Sequence, residues 1–253
     1  MKESKKSELL NKFKNQGFIV LDNYFDKDYC DKARNKIDLM IKNHPEKSFC
    51  TKTEQTGGDI RFFKFENYSE TAISFSKDKW LREIVSEYLG RDLKTHFVLA
   101  GKVSKSNWES NSGGGWHRDS DFTQLKAMLY LSNVSSKNGP FLFVENSKSI
   151  DTKRRKTTLK NSLIFYIKFF LRTFKLYPPR YDEIEIKEYI ENNNLKINEI
   201  TGKEGTVVLF DSSYIHRGKN IVEGTRYSFT NYYFGNTPTD HEKSNIIFGK
   251  YFK

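Results

Sequence analysis

In the first ninety residues, the apolar positions recur mainly at the three- to four-residue spacing that is typical of helices. Asp26 stands where a helix N-cap is expected, and Gly17 and Gly90 stand where helices end. One short apolar run, FIVLDNYF, indicates a buried strand instead. The pattern predicts helices over 6–16, 27–43 and 77–90, and a polar loop with a short hairpin over 51–68.

From residue 93 onward, the pattern changes to short β-rich runs separated by glycine, asparagine and serine. The runs are LKTHFVLAGKVS, LKAMLYLSNV, GPFLFVEN, GTVVLFDSS and RYSFTNYYFG. Strands with short connections and no helices between them favour an antiparallel sandwich or barrel over a parallel α/β sheet. We expect one domain over 1–253, in which 1–92 form a helical and strand support and 93–150 with 201–253 form the barrel core.

Residues 151–200 interrupt the β-rich pattern with a basic helical stretch, a Pro-Pro break and an acidic stretch. On a helix, the basic residues of this insert cover about a third of the circumference and apolar residues cover most of the rest. The insert is therefore expected to pack on the barrel, to close over the site as a lid, or to contact a second copy or a membrane surface through 151–180. Its charged residues interrupt the apolar run well short of the ~20 residues of a membrane span.

Composition adds information about partners and compartment. The chain has 43 lysines and arginines against 32 acidic residues, and its net charge of +11 favours anionic partners unless it only reflects a biased genome. Aromatic residues make up 15% of the chain and supply burial beyond what the aliphatic residues offer. Two cysteines are too few for a disulfide framework, and the N-terminus shows no signal-peptide pattern. We expect a cytoplasmic protein, with peripheral membrane association as an option.

Candidate metal ligands stand one residue apart in the stretch GGGWHRDSD. In an extended segment, His117 and Asp119 leave the backbone on the same side, so both can bind one ion, while Arg118 points away. A second histidine, His216, ends the run GTVVLFDSSYIH. Two histidines and one carboxylate can hold Fe(II) with three positions open, whereas a structural zinc site uses four ligands. The alternative is that each histidine only satisfies a hydrogen bond.

A candidate carboxylate site follows ten residues after the second histidine. Strand alternation places Arg226, Ser228 and Thr230 on one face. A guanidinium binds a carboxylate through two parallel hydrogen bonds, and a neighbouring hydroxyl can complete the cradle. This arrangement suits a dicarboxylate co-substrate.

Taken together, these motifs resemble the phytanoyl-CoA dioxygenase family of Fe(II)- and 2-oxoglutarate-dependent oxygenases. The resemblance rests on W-H-x-D, NGPFLFVENSK, GTVVLFDSSYIHRG and R-x-S, together with the N-terminal helix, strand and helix. It implies a mainly β fold with flanking helices, a double-stranded β-helix or cupin-like jelly-roll barrel with the site at its mouth. Fe(II), the co-substrate 2-oxoglutarate and O₂ are the cofactors that it implies.

The resemblance also implies roles for individual residues. His117, Asp119 and His216 correspond to iron ligands, and Arg226, assisted by Ser228, corresponds to the partner of the distal 2-oxoglutarate carboxylate. Lys102 and Lys105 resemble positions where relatives place a further polar contact to 2-oxoglutarate. Alternation allows only one of these lysines to face inward, and Lys105 is the candidate; the alternative is that both are solvated. Trp116 either lines the substrate pocket or packs at the rim of the barrel.

The implied chemistry is the decarboxylation of 2-oxoglutarate by O₂ to succinate and CO₂, coupled to removal of hydrogen from a substrate C–H bond. The presence of Asp119 favours hydroxylation, because iron halogenases of this type replace that carboxylate with a small residue. We expect a small, anionic substrate that is lipid-, carrier- or sugar-linked. The alternatives are a non-catalytic binding or scaffold barrel, and a nucleic-acid-modifying oxygenase. Nucleic acid is disfavoured because Tyr232 stands where base dealkylases carry a second arginine.

Overall fold

The computed structural model describes residues 3–50, 58–105, 115–119, 123–148, 181 and 183–235. The described strands are β1 Phe18–Leu21, β2 Phe49–Cys50, β3 Asp59–Phe62, β4 Lys94–Ser104, β5 Leu125–Tyr130, β6 Phe141–Val144, β7 Ile197–Ile200, β8 Val207–Asp211, β9 His216–Gly218 and β10 Thr225–Phe234. The described α-helices are α1 Glu3–Gln16, α2 Lys27–Asn43, α3 Glu70–Ser76, α4 Lys79–Leu89 and α5 Glu183–Asn192.

The strands form two antiparallel sheets that share a layer of apolar side chains. The larger sheet has the order β1-β8-β5-β10-β4-β3-β2, and the smaller sheet has the order β7-β6-β9. The layer between them contains Met128 and Phe210 from the larger sheet and Phe141 and Phe143 from the smaller one. This arrangement is the sandwich that the five β-rich runs predict, since each run contributes one strand.

The outer face of the larger sheet carries the N-terminal helices. Phe13, Ile37, Phe75 and Ile84 from α1 to α4 are fully buried in one cluster with outward residues of the sheet, such as Phe229. Because side chains alternate along a strand, the odd and even positions of β10 serve different layers: one set packs on helices and the other faces the smaller sheet. The helices therefore cover the outer face of the larger sheet, and the site lies on the inner face, which points toward the smaller sheet.

Local signals in the sequence explain where the helices begin and end. The Asp26 carboxylate accepts a hydrogen bond from the backbone N–H of Tyr29 at 2.8 Å, which is the N-cap predicted for α2. Gly90 ends α4 with a φ of 70°, a left-handed conformation that favours glycine. The described helices include none that is long and apolar enough to cross a membrane.

The insert is described only in its C-terminal part. Residues 149–180 lie outside the described residues, and so does the basic face predicted for that stretch. The described part contains α5 and β7, and β7 pairs with β6 over four residues. The stretch 197–200, predicted as insert, thus forms an edge strand of the smaller sheet.

Candidate metal centre

Two segments about a hundred residues apart in the sequence meet beside β9. The backbone N–H of His117 donates to the carbonyl of His216 at 3.0 Å, and the N–H of His216 donates back at 2.9 Å. Two residues further on, the N–H of Asp119 donates to the carbonyl of Ser212 at 3.0 Å. These bonds set the register of the segment against the β8–β9 turn, so that both ligand-type side chains face His216.

Three ligand-type atoms converge at this point. One nitrogen or oxygen atom from each of His117, Asp119 and His216 lies within 4.8 Å of the other two. The Nε2 of His117 is 3.8 Å from Oδ1 of Asp119, and the Nε2 of His216 is 3.3 Å from Oδ2. All three side chains thus present a ligand-type atom to one small region, with His216 and Asp119 already in polar contact.

The other nitrogen of each imidazole is held by the backbone. Nδ1 of His117 donates to the carbonyl of Gly115 at 2.9 Å, and Nδ1 of His216 donates to the carbonyl of Tyr214 at 2.8 Å. In a neutral imidazole this places the lone pair on Nε2, which is the atom that faces Asp119 in both rings. Metal-ligating histidines usually donate their second N–H in this way. The side chains therefore fit a divalent metal ion.

Arg118 points away from the ligand atoms and ties their two segments together. Its buried guanidinium donates to the backbone carbonyls of Ser147 and Lys148. The Oγ of Ser147 accepts a hydrogen bond from the N–H of Ile215 at 2.8 Å and donates to the carbonyl of Val144. This chain of bonds joins Arg118, which lies between His117 and Asp119, to Ile215, which precedes His216. The sequence predicts the direction of Arg118 but not its partners.

A buried lysine, Lys126, contacts Asp119 beside the three ligand-type residues, and the sequence pattern alone did not point to it. Nζ of Lys126 lies 2.5 Å from Oδ2 of Asp119 and 4.1 Å from the centroid of the Tyr232 ring. Burial by itself raises the pKa of Asp119, but the positive charge of Lys126 beside it outweighs burial, and this pKa is held well below its usual range. Burial lowers the pKa of Lys126, and Asp119 more than compensates, so this pKa is raised. Both groups are charged at neutral pH.

The inward positions of β10 line the same cavity. Arg226 and Ser228 line this cavity of about 170 Å³ together with the three ligand-type residues. The Arg226 guanidinium donates to the carbonyl of Gly139, while its Nε is buried without a hydrogen-bond partner in the described part of the chain. Burial lowers the pKa of Arg226, though an arginine stays protonated. An unpaired N–H on a buried guanidinium is a site for an acidic ligand.

The sequence matches the model of the phytanoyl-CoA dioxygenase (PhyH) family over residues 13–225. The chain belongs to the phytanoyl-CoA dioxygenase family. As a member, it is an Fe(II)- and 2-oxoglutarate-dependent dioxygenase, with iron as cofactor and 2-oxoglutarate as co-substrate. The match includes all three ligand-type residues and ends one residue before Arg226. Comparison with curated proteins returns no match.

Solved structures confirm the predicted fold class. The epimerase SnoN, in complex with Fe³⁺, α-ketoglutarate and nogalamycin RO, has a TM-score of 0.67 at 14% identity, over 92% of this chain and 84% of its own. EctD from S. alaskensis, with 2-oxoglutarate and 5-hydroxyectoine, has a TM-score of 0.66 at 17% identity, over 95% of this chain and 77% of its own. HygX from Streptomyces hygroscopicus, with nickel and 2-oxoglutarate, has a TM-score of 0.58 at 16% identity, over 89% of this chain and 85% of its own. The chain shares their jelly-roll fold.

The structure does not bring Lys105 to the cavity of this dioxygenase. β4 ends at Ser104, and the exposed Lys105 lies beyond it and is not among the residues that line the cavity. Lys102 faces the other side of the sheet, where its Nζ donates to Asp38 on α2 at 2.8 Å. Neither Lys102 nor Lys105 is among the residues that line the described cavity.

A cation from the neighbouring strand lies on the inner face instead. Arg61 of β3 lines the cavity, and its guanidinium donates to the buried carboxylate of Asp59 at 3.0 and 3.2 Å. Gly101 lies between Arg61 and Ser228 across the sheet, and a Cβ there would stand 3.5 Å from Oγ of Ser228. The missing side chain keeps this part of the wall open. The sequence shows Arg61 only as part of a predicted hairpin.

Trp116 belongs to the rim rather than to the described cavity lining. It is buried against Ile186 and Ile190 of α5, and the Arg217 guanidinium lies 4.6 Å from its ring centroid. Its carbonyl accepts the N–H of Tyr181 at 2.8 Å. The described end of the insert is thus packed against the residue that precedes His117.

Proposed function

We propose that this dioxygenase hydroxylates an unactivated C–H bond of a small, anionic substrate. In this proposal, His117, Asp119 and His216 hold the iron, and Arg226 with Ser228 binds the distal carboxylate of 2-oxoglutarate. The observation that carries it is the convergence of three ligand-type atoms within 4.8 Å in a cavity that is also lined by the half-buried guanidinium of Arg226.

The side chains have separate tasks in this proposal. Bound iron supplies the oxidation by O₂ that converts 2-oxoglutarate to succinate and CO₂ and oxidises the substrate C–H bond. His117 and His216 offer Nε2 lone pairs because their Nδ1–H groups are held by backbone carbonyls. Arg226 pairs its buried charge with the distal carboxylate, which orients the co-substrate along the cavity. The apolar side chains of the inner layer exclude water from this region.

The charges around the cavity support an anionic substrate. Arg61, Lys126 and Arg226 supply three positive charges, while Asp119 and Asp59 supply two negative ones, which leaves one positive charge among these residues. Fe(II) and the 2-oxoglutarate dianion cancel each other, so the loaded site keeps this surplus. A lipid-, carrier- or sugar-linked anion fits that balance. Contact of 151–180 with a second copy or a membrane stays a prediction.

Hydroxylation predicts a specific isotope result. In this proposal the carboxylate of Asp119 is the third protein ligand of the iron, at the position that halogenating relatives leave to a halide. Turnover of a substrate under ¹⁸O₂ is expected to give a product heavier by one ¹⁸O atom, with one ¹⁸O in succinate, as mass spectrometry would show. Enzymes with this fold also catalyse other reactions, since SnoN is an epimerase, and epimerisation leaves the mass unchanged. A product of unchanged mass, or one that has lost two hydrogens, would contradict hydroxylation.

A further inference from the structure

Lys126 stands in a strand whose other residues are apolar, and it is buried inside the cavity. Its Nζ donates to Oδ2 of Asp119 at 2.5 Å and lies over the ring of Tyr232. Burying an ammonium is costly unless an anion or an aromatic face compensates it. The side chain is therefore held in one place by these two contacts, directly beside the carboxylate of the metal centre.

The two oxygens of Asp119 have different surroundings. Oδ2 accepts the hydrogen bond from Lys126 and also lies 3.3 Å from Nε2 of His216. No hydrogen bond from a described residue reaches Oδ1, which lies 3.8 Å from Nε2 of His117. An oxygen already engaged by an ammonium is the poorer donor to a second cation, because two positive charges would then share it. Oδ1 is the better ligand atom.

We propose that Lys126 is a positioning residue that keeps Asp119 a one-oxygen ligand. The proposal rests on the proposed role of Asp119 in holding the iron. With Oδ2 held by Lys126, the three side chains supply three donor atoms and leave three positions open. Without Lys126, Asp119 is free to turn both oxygens toward the metal and to take a position that the co-substrate needs.

The rival explanation for a cation at this point is plain attraction of the co-substrate dianion. Glutarate separates the two explanations because it has both carboxylates of 2-oxoglutarate but lacks the 2-oxo group. 2-Oxoglutarate presents an oxo oxygen and a carboxylate oxygen side by side, so its binding depends on open positions on the metal for both. Glutarate has no such pair. Simple charge attraction acts on both dicarboxylates equally.

The experiment uses the full chain with Lys126→Met and with Lys126→Gln, neither of which keeps the ammonium. Fe(II), then 2-oxoglutarate or glutarate, is titrated under anaerobic conditions by calorimetry, and circular dichroism checks folding. In either variant, we expect 2-oxoglutarate to bind at least about tenfold more weakly, while Fe(II) and glutarate stay within about threefold of the parent. The matched control is Lys102→Met, on the outer face of the same sheet, which should change none of these constants.

Several results would overturn the positioning role. If a folded variant binds 2-oxoglutarate as tightly as the parent, Lys126 is not needed for co-substrate binding. If glutarate affinity falls as much as 2-oxoglutarate affinity, the role of Lys126 is charge attraction. Loss of Fe(II) binding in a folded variant makes it a requirement for the metal itself. If the parent protein binds no Fe(II), the proposed function and the positioning role fail together, whereas the first three results leave the proposed function intact.

Discussion

Replacing Asp119 with alanine is expected to abolish the succinate that the enzyme forms from 2-oxoglutarate without substrate. The change removes the only carboxylate among the three ligand-type residues, and it leaves the buried Lys126 ammonium without its anion. Loss of a hydrogen-bond partner of a ligand costs about 10- to 100-fold in metal affinity or activity, so loss of the ligand itself should cost more than about 100-fold. Succinate is measured by mass spectrometry after incubation with Fe(II) and 2-oxoglutarate.

The control for this variant is Asp38→Ala. Asp38 also pairs with a lysine, Lys102, but on the outer face of the larger sheet, away from the cavity. The Asp38→Ala variant should form succinate at the parent's rate. This result would separate the loss of a metal ligand from the loss of any lysine–aspartate pair. Turnover by a folded Asp119→Ala variant at the parent's rate would show that the iron is held elsewhere.

Replacing Arg226 with methionine is expected to weaken 2-oxoglutarate binding while iron binding persists. Arg226 lines the cavity with a half-buried guanidinium, and its buried Nε has no hydrogen-bond partner within the described ranges. Removing one member of a buried, hydrogen-bonded charge pair costs about 2–5 kcal/mol, which corresponds to a loss of about 30-fold to several thousandfold in affinity. Anaerobic titration of 2-oxoglutarate into the Fe(II)-loaded variant measures the change.

Arg82→Met provides the comparison for this prediction. Arg82 also pairs with a carboxylate, that of Asp92, but at the surface. Its replacement should leave 2-oxoglutarate binding unchanged. If Arg226→Met binds 2-oxoglutarate as tightly as the parent, the distal carboxylate is bound by another group, and Arg61 would be the next residue to test because it lines the same cavity.

The strands and the pairing of His117 with Asp119 could be predicted because their signals are local. Alternating apolar runs mark β4, β5 and β10, and the one-residue spacing of His117 and Asp119 puts both on the same side of an extended segment. Asp26 and Gly90 mark helix ends by their own hydrogen bonding and backbone conformation. Each of these predictions needs only a few neighbouring residues.

Lys126, Arg61 and the position of Lys105 could not be predicted in this way, because they depend on pairing between distant strands. Arg61 reaches the cavity only because β3 pairs with β4, which places it opposite Gly101. Lys105 misses the cavity because β4 ends one residue earlier. One signal for Lys126 was present in the sequence: a single lysine inside the apolar run LKAMLYL, where an unpaired charge would be too costly to bury.

The most direct test of the metal centre is anomalous diffraction at the iron absorption edge from crystals grown anaerobically with Fe(II) and 2-oxoglutarate. One strong peak is expected within bonding distance of Nε2 of His117, Nε2 of His216 and one oxygen of Asp119, with 2-oxoglutarate extending from it to Arg226. Iron bound at other residues, or a cavity that contains 2-oxoglutarate with no iron at these three side chains, would contradict it.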